Sequence, residues 1–314
     1  MSDSINEKKS PTGIFLMAHG APESLDDIPQ YLKNIRGGTA SSPEVVRLIR
    51  DRYSAIGGSS PLLEITRSQA AALQRFLNQN GNREFKVYFA MRNWSPYIRD
   101  VARVMLEDGV RQVLALCLAP QYSRWSTELY FNALRQAVEK NSSGVEIKFV
   151  TGWSNHPLLI DAYVERYQTA VKKLLAAGQS EVYTIFTAHS IPSESLDYGD
   201  PYAEEYKKTV QAIVERVNPY RWFRAYQSQG MIPVPWLGPT VEMVLDKIAR
   251  YGSRTALIFP VGFVSDHIEI LYGIDIGFKN YASAKKLQLS RTESLNLSPG
   301  FIEALASLVW EHSI

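Results

Sequence analysis

The sequence predicts an α/β fold of two Rossmann-like halves, each a parallel sheet flanked by helices, related by internal duplication and facing each other across a cleft. Three observations carry this reading. Short apolar runs bounded by turn residues alternate with longer amphipathic stretches along the 314 residues. Two of those runs are near copies: Ile14-Phe15-Leu16-Met17 ends in Ala18-His19-Gly20-Ala21-Pro22, and Val182-Tyr183-Thr184-Ile185-Phe186-Thr187 ends in Ala188-His189-Ser190-Ile191-Pro192. The echo then continues, because Phe85 to Tyr88 is answered by Phe223 to Tyr226, and Val113 to Ser123 by Ala256 to Ser265, with similar spacing to Pro120 and Pro260.

In chain order, strands are expected near 14–18, 85–91, 113–119, 146–151, 182–187, 223–228 and 256–262, each short, apolar and closed by turn residues. Helices are expected over 44–53, 67–78, 98–107, 126–140, 157–176, 202–217, 240–251 and 299–312. In the helix opening at Pro157, residues Leu158, Ala162, Tyr163, Tyr167, Val171 and Leu174 recur at helical spacing and form a core-facing stripe. The chain divides into a polar stretch 1–12, a first half 13–150 and a second half 151–314, whose last helix can cross back to the first half. Ligands of such sheets gather at the carboxyl ends of the strands, where His19 and His189 both fall.

The duplication is unequal. About thirty extra residues separate the first histidine from the next strand in the first half. They lie at about 31–67 and include Arg36-Gly37-Gly38, Arg47, Arg50, Arg52-Tyr53 and Gly57 to Pro61. An insertion at the ligand edge of an α/β sheet predicts a lip over the site, and this composition suits a flat, anionic, greasy ligand. The same composition also describes a solvated surface excursion.

Composition narrows the function classes. A 45% hydrophobic and 21% charged chain is that of a soluble globular protein, and a net charge of +2 with scattered basic residues argues against nucleic acid. No apolar run approaches the roughly 18 residues that cross a bilayer, and Met1 to Pro11 lacks a hydrophobic signal core, so a cytoplasmic protein is expected. The single cysteine, Cys117, sits in the run Val113 to Leu118 and reads as a buried thiol. Alone it forms no internal disulfide, zinc knuckle or cysteine-ligated iron–sulfur cluster. Gly57-Gly58-Ser59-Ser60 is not a dinucleotide fingerprint, no phosphate loop occurs, and Ser190 lacks a nucleophile elbow.

The most reactive stretch is Ser265 to Asp275. Ser265 or Asp266 suits the cap of a helix that would carry Glu269 into the cleft, where the repeat also delivers His189. An imidazole nitrogen beside a carboxylate suits a divalent first-row metal or a proton transfer. On a helix the His-x-Glu spacing places His267 and Glu269 on different faces, so His267 is expected to support the site rather than form it.

Thr187 to Pro192, Tyr226 to Gly230 with Pro235 to Pro239, and Pro260 to Glu269 resemble the signature segments of ferrochelatases, in the right order and across about Ile14 to His312. The resemblance implies a cytoplasmic, monomeric lyase of haem biosynthesis that inserts Fe²⁺, its substrate, into a porphyrin with no cofactor and no iron–sulfur cluster. It leaves room for transient contact with a membrane or another haem-pathway enzyme. The likeness is greatest to the Gram-positive type, which metallates coproporphyrin III. Protoporphyrin IX is the alternative substrate, and a non-catalytic tetrapyrrole or haem carrier or sensor is the competing class.

Carried over by position, His189 and Glu269 match the family's metal-binding and proton-accepting pair. Arg36, Arg52, Tyr53, Ser60 and Tyr130 match residues that line the porphyrin site. His19 falls where those relatives carry a tyrosine ligand on the opposite face of the macrocycle, which makes it the expected axial ligand of product iron. Relatives also carry acidic residues at the positions of Gly273 and Gly277, so only Asp275 remains here for a proton or metal path. On a regular helix, position 273 would lie one turn beneath Glu269.

Overall fold

Both sheets are wholly parallel and carry their first strand inside rather than at an edge. The computed structural model describes residues 11–81, 84–141, 144–230, 232–252 and 254–313. Most of the polar stretch expected over 1–12 lies outside them. In the first half, β1 (Thr12–Ala18), β2 (Phe85–Met91), β3 (Gln112–Cys117) and β4 (Glu146–Val150) are ordered β2-β1-β3-β4. In the second, β5 (Tyr183–His189), β6 (Arg221–Gln227), β7 (Thr255–Phe259) and β8 (Gln288–Arg291) are ordered β6-β5-β7-β8. The registers match too: Ile14 pairs with Val87 and Leu114, and Ile185 with Phe223 and Ile258. β1 is buried along its whole length, which is why it reads as a continuous apolar run rather than an alternating one.

The helices are α1 (Ile28–Ile35), α2 (Pro43–Ala55), α3 (Leu62–Asn80), α4 (Ile98–Glu107), α5 (Thr127–Asn141), α6 (Pro157–Ala176), α7 (Tyr202–Val217), α8 (Val241–Arg250), α9 (Lys279–Ala284) and α10 (Pro299–His312). A π-helical stretch, Glu269–Phe278, runs directly into α9. Local chemistry explains several starts. The Ser42 hydroxyl accepts from the Val45 amide at 3.4 Å ahead of Pro43, and the Thr240 hydroxyl accepts from the Met243 amide at 3.3 Å. Among the described residues no helix is long and apolar enough to cross a membrane.

One core runs through both halves. Ile14, Leu16, Leu114 and Leu116 of the first sheet share it with Phe186, Leu257 and Phe259 of the second, through residues of α3, α6, α7 and α10. α10 packs on α6 and reaches back to α3, where the Trp310 and Phe76 rings lie 6.0 Å apart. Each sheet covers its outer face with a separate core, built around Phe15, Met17 and Phe131 in one half and Ile185, Leu245 and Ile258 in the other.

Several elements differ from the sequence-based expectations, the short α9 among them. α1 was not expected, although Ile28, Tyr31, Leu32 and Ile35 recur at helical spacing, because its eight residues make only two turns. β8 was not expected either, because Gln288-Leu289-Ser290-Arg291 is a short edge strand with no apolar run. Residues 269–278 form a π-helix rather than a regular helix, and Ser265 and Asp266 do not cap it. The lip over 31–67 is helical and not a solvated excursion: Ile28, Leu32 and Tyr53 form a small core that also takes in Ile268 of the second half.

Two glycines fix the strand ends that carry the histidines. Gly20 has φ +88°, and a Cβ there would meet Met91 and Trp94 at 3.0 Å. At Gly262 a Cβ would lie 2.7 Å from Ala188 Cα, while the Gly262 amide donates to the Thr187 carbonyl at 3.0 Å. Gly262→Ala is therefore expected to destabilise the fold by about 1–3 kcal/mol through overpacking. The check is the midpoint of urea unfolding, and an unchanged midpoint would contradict the close approach.

Candidate active site

In each sheet the chain leaves the first strand toward one neighbour and later returns to its other side, so the carboxyl ends of β1 and β5 are topological switch points, where open α/β sheets form crevices. His19 follows β1 and His189 ends β5. The two switch points open into one cleft of about 1020 Å³, mouth included. Its lining includes His19, Tyr31, Tyr53, Ser60 and Tyr130 from the first half and His189, Tyr202, His267 and Glu269 from the second.

On the second-half wall two imidazoles converge on one carboxylate. His189 Nδ1 donates to the Ser190 carbonyl at 2.5 Å and its Nε2 faces Glu269 Oε1 at 3.5 Å. His267 repeats the arrangement, with Nδ1 donating to the Ser265 carbonyl at 3.0 Å and Nε2 facing Glu269 Oε2 at 3.8 Å. The Gln227 side chain fixes the Glu269 main chain by donating to its carbonyl at 3.2 Å. Glu269 Oε2 finds no hydrogen-bond partner among the described residues. A buried acceptor without a partner, beside two nitrogens, is equipped to take a proton or a cation. Among the described residues no three His, Cys, Asp or Glu side chains are spaced as a metal-holding group.

Sequence comparison now decides the family. The ferrochelatase family profile matches residues 11–313. The chain belongs to the ferrochelatase family. A ferrochelatase of Deinococcus radiodurans is 36% identical over 98% of each chain. A coproporphyrin III ferrochelatase of Halalkalibacterium halodurans is 35% identical, covering 96% of this chain and 97% of its own. Among solved structures, SirB from Bacillus subtilis with Fe³⁺ superposes with a TM-score of 0.60 at 10% identity, covering 96% of this chain and 95% of its own, which shows a shared fold. The chain is thus a metal-inserting lyase of haem biosynthesis, and a ferrochelatase's substrates are a porphyrin and iron.

The electrostatics of this ferrochelatase cleft follow from burial set against pairing. Burial works to lower the His189 pKa, but the Glu269 charge, its hydrogen bond and the Ser190 carbonyl outweigh it and leave the imidazole raised above its ordinary value. Burial works to raise the Glu269 carboxyl, yet His189 first and His267 next hold it well below the usual carboxylate range. Burial lowers His19 below the ordinary imidazole value, with the Gly20 carbonyl and Glu269 opposing. Burial also pushes up the phenols of Tyr31, Tyr53 and Tyr130, so the cleft meets its ligand with neutral hydroxyls. The Cys117 thiol is pushed up to about 12 by burial and stays inert.

Several expected site residues stand elsewhere than the sequence placed them. His19 lines the cleft, but its Nε2 takes a hydrogen bond from Asn93 Nδ2 at 3.0 Å, and its Nδ1 lies 3.1 Å from the Gly20 carbonyl. Both ring nitrogens are thus hydrogen-bonded here, and ligation of iron through Nε2, the expected axial role, would first break the Asn93 contact. Arg36 is exposed at the end of α1, outside the cleft lining. Arg52 also lies outside it, because α2 turns its neighbour Tyr53 inward and leaves the Arg52 guanidinium 5.5 Å from the centre of the Tyr272 ring.

Asp275 offers no open path. Arg291 Nε reaches both its oxygens at 3.0 Å, and Lys279 Nζ adds a contact at 3.2 Å. The rungs of a regular helix do not apply to Gly273 and Gly277, since the π-helix pairs each residue with the fifth before it. His267 was underestimated for a related reason. It precedes the helix, so it is free to turn toward Glu269. Tyr31, Tyr202 and Asn93 were missed, because a phenol or amide in an aromatic stretch carries no spacing signal.

The turn bearing His267 is held from behind. Arg291 Nη2 meets Asp266 at 3.3 Å, Ser294 Oγ donates to Asp266 at 2.7 Å, and Asn296 both donates to the Asp266 carboxylate and accepts from its amide at 2.8 Å.

The raised His189 pKa stabilises the fold at pH below the ordinary imidazole value, and that contribution fades as pH rises through the raised one. The lowered Glu269 pKa contributes above the ordinary carboxylate value and fades as pH falls through the lowered one. Glu269→Gln should drop the His189 pKa below that of the unmodified chain, read by NMR titration of the ring protons, and an unchanged value would break the pairing. Arg291→Met, which leaves Asp275 with Lys279 alone and Asp266 with its neutral donors, should cost about 1–3 kcal/mol in chemical denaturation.

Proposed function

We propose that this chain inserts Fe²⁺ into coproporphyrin III as a cytoplasmic monomer that needs no bound cofactor. The observation that carries the reading is the His189–Glu269 pair at 3.5 Å, with the second Glu269 oxygen unpartnered, on the wall of a cleft joining two sheets. Insertion replaces the two pyrrole N–H protons by the metal, so the site must take up protons while presenting a dehydrated cation. A carboxylate held charged in a buried place does both, since it attracts Fe²⁺ and accepts a proton as the ring lets go. His189 Nε2 supplies a nitrogen donor once its own proton moves to Glu269 or to water. The helical lip, seated on Ile268 beside Glu269, is placed to press the macrocycle onto that wall, with binding energy from the ring's periphery supplying the distortion.

The choice of coproporphyrin III is supported by the Halalkalibacterium halodurans relative that bears that name. A carrier would need no charged carboxylate facing the ring, so the Glu269 geometry favours catalysis.

Mixing the purified protein anaerobically with Fe²⁺ and either coproporphyrin III or protoporphyrin IX tests the reading. Turnover with a higher kcat/KM for coproporphyrin III is expected. Preference for protoporphyrin IX would reassign the substrate, and stoichiometric binding without turnover would indicate a carrier. His189→Ala should lower insertion about 10²-fold or more while metal-free porphyrin still binds. Full insertion by that variant would remove His189 from the mechanism.

A further inference from the structure

The duplication sets up a comparison between the two walls. His19 and His189 occupy equivalent strand ends, and each points its Nδ1 at the carbonyl of the residue that follows it. An Nδ1–H donating to a carbonyl fixes the neutral ring as the tautomer whose Nε2 is an acceptor. What meets Nε2 then differs in kind. On the second-half wall it is the Glu269 carboxylate, an acceptor, which competes with the ring for a proton. On the first-half wall it is the Asn93 amide, which with Nε2 as acceptor must present its N–H.

Asn93 is held for this task. It is 4% exposed, its main-chain N–H donates to the His19 carbonyl at 3.0 Å, and its main-chain carbonyl accepts from the Asn34 side chain at 3.0 Å. It follows β2, the neighbour of β1, so amide and imidazole are carried by adjacent strand ends. A nitrogen whose lone pair is occupied by a donor cannot bind a metal until that bond breaks and the amide moves.

We infer that Asn93 is a positioning residue that withholds the His19 lone pair from metal in the cleft and so sets how readily a metallated porphyrin leaves. The inference rests on the insertion reading above for its ligand, but the amide–imidazole bond itself does not. Neutral imidazole is a strong iron ligand, so a free His19 would add a bond that holds product and slows each turnover.

The test compares the unmodified protein with Asn93→Leu, which keeps the size of the side chain and removes the donor. In the ligand-free protein, ¹⁵N NMR should show the His19 Nε2 signal moving toward that of an unbonded acceptor nitrogen in the variant. With iron coproporphyrin III added, the variant should gain the absorption bands of imidazole-ligated iron and release product about five- to tenfold more slowly, the scale of one hydrogen bond. The double variant Asn93→Leu/His19→Ala should lose both changes, which a merely structural role for Asn93 would not produce. Should the leucine variant not fold, Asn93→Ala is read in the same way.

An unmoved ¹⁵N signal overturns the inference whatever the porphyrin does. A moved signal with unchanged release and spectrum overturns it while leaving metal insertion standing. No porphyrin binding by the unmodified protein overturns the insertion reading and the release role together.

Discussion

The structure is organised around keeping one carboxylate charged where burial opposes it. Glu269 answers the cost of desolvation with two imidazoles, and each imidazole has its proton placed by a neighbouring main-chain carbonyl. Such geometry needs rigid supports. The parallel sheet supplies β5 for His189, the Gln227 amide at the end of β6 pins the Glu269 carbonyl, and the turn after β7 carries His267. Gly262 lets that turn close onto Ala188, so β5 and β7 end at a distance no larger residue would allow. The edge strand β8 contributes Arg291, whose guanidinium neutralises Asp266 and Asp275 behind the site and leaves Glu269 as the acid facing the cleft.

What the sequence disclosed follows the same physics. The central strands β1, β3, β5 and β7 are buried and read as apolar runs, so they were visible, and the ends of β1 and β5 marked His19, His189 and the cleft between them. Glu269 stood out because a carboxylate beside Ile268, Ile270 and Leu271 needs a reason to be there. Elements whose stability comes from tertiary contact left no such trace. β8 is stabilised by pairing with β7 and by packing Leu289 beside Ala282 of α9, and α1 by packing Ile28 and Leu32 against the rest of the lip. The π-helix could not be read, because spacing arguments assume 3.6 residues per turn. His267 was misjudged by the same assumption, applied one residue too early in the chain.

Unequal duplication gives the cleft its function. Two identical halves would present two identical walls, with no means of treating the faces of a flat ligand differently. The insertion breaks the symmetry by placing α1 and α2 over the first half and joining their small core to Ile268, next to the carboxylate. The lip therefore touches the second-half wall through the residue preceding Glu269. Movement of the lip on a bound ring has a direct mechanical route to that carboxylate.

The second break in symmetry is chemical. The cleft has an acceptor-rich wall on one side, where Glu269 Oε2 has His267 at 3.8 Å but no hydrogen bond, and a wall on the other whose imidazole is already occupied. On the insertion reading proposed above, attraction is thus concentrated where protons would leave and iron arrive, and it is weak on the face that would otherwise grip the product. Catalysis requires stronger interaction with the transition state than with what precedes or follows it. An imidazole free to bind iron would act mainly after insertion, deepening the product state without lowering the barrier. Placing an amide rather than a carboxylate against His19 removes that liability at the cost of one side chain, and burying Asn93 between two further hydrogen bonds keeps the arrangement in place through each turnover.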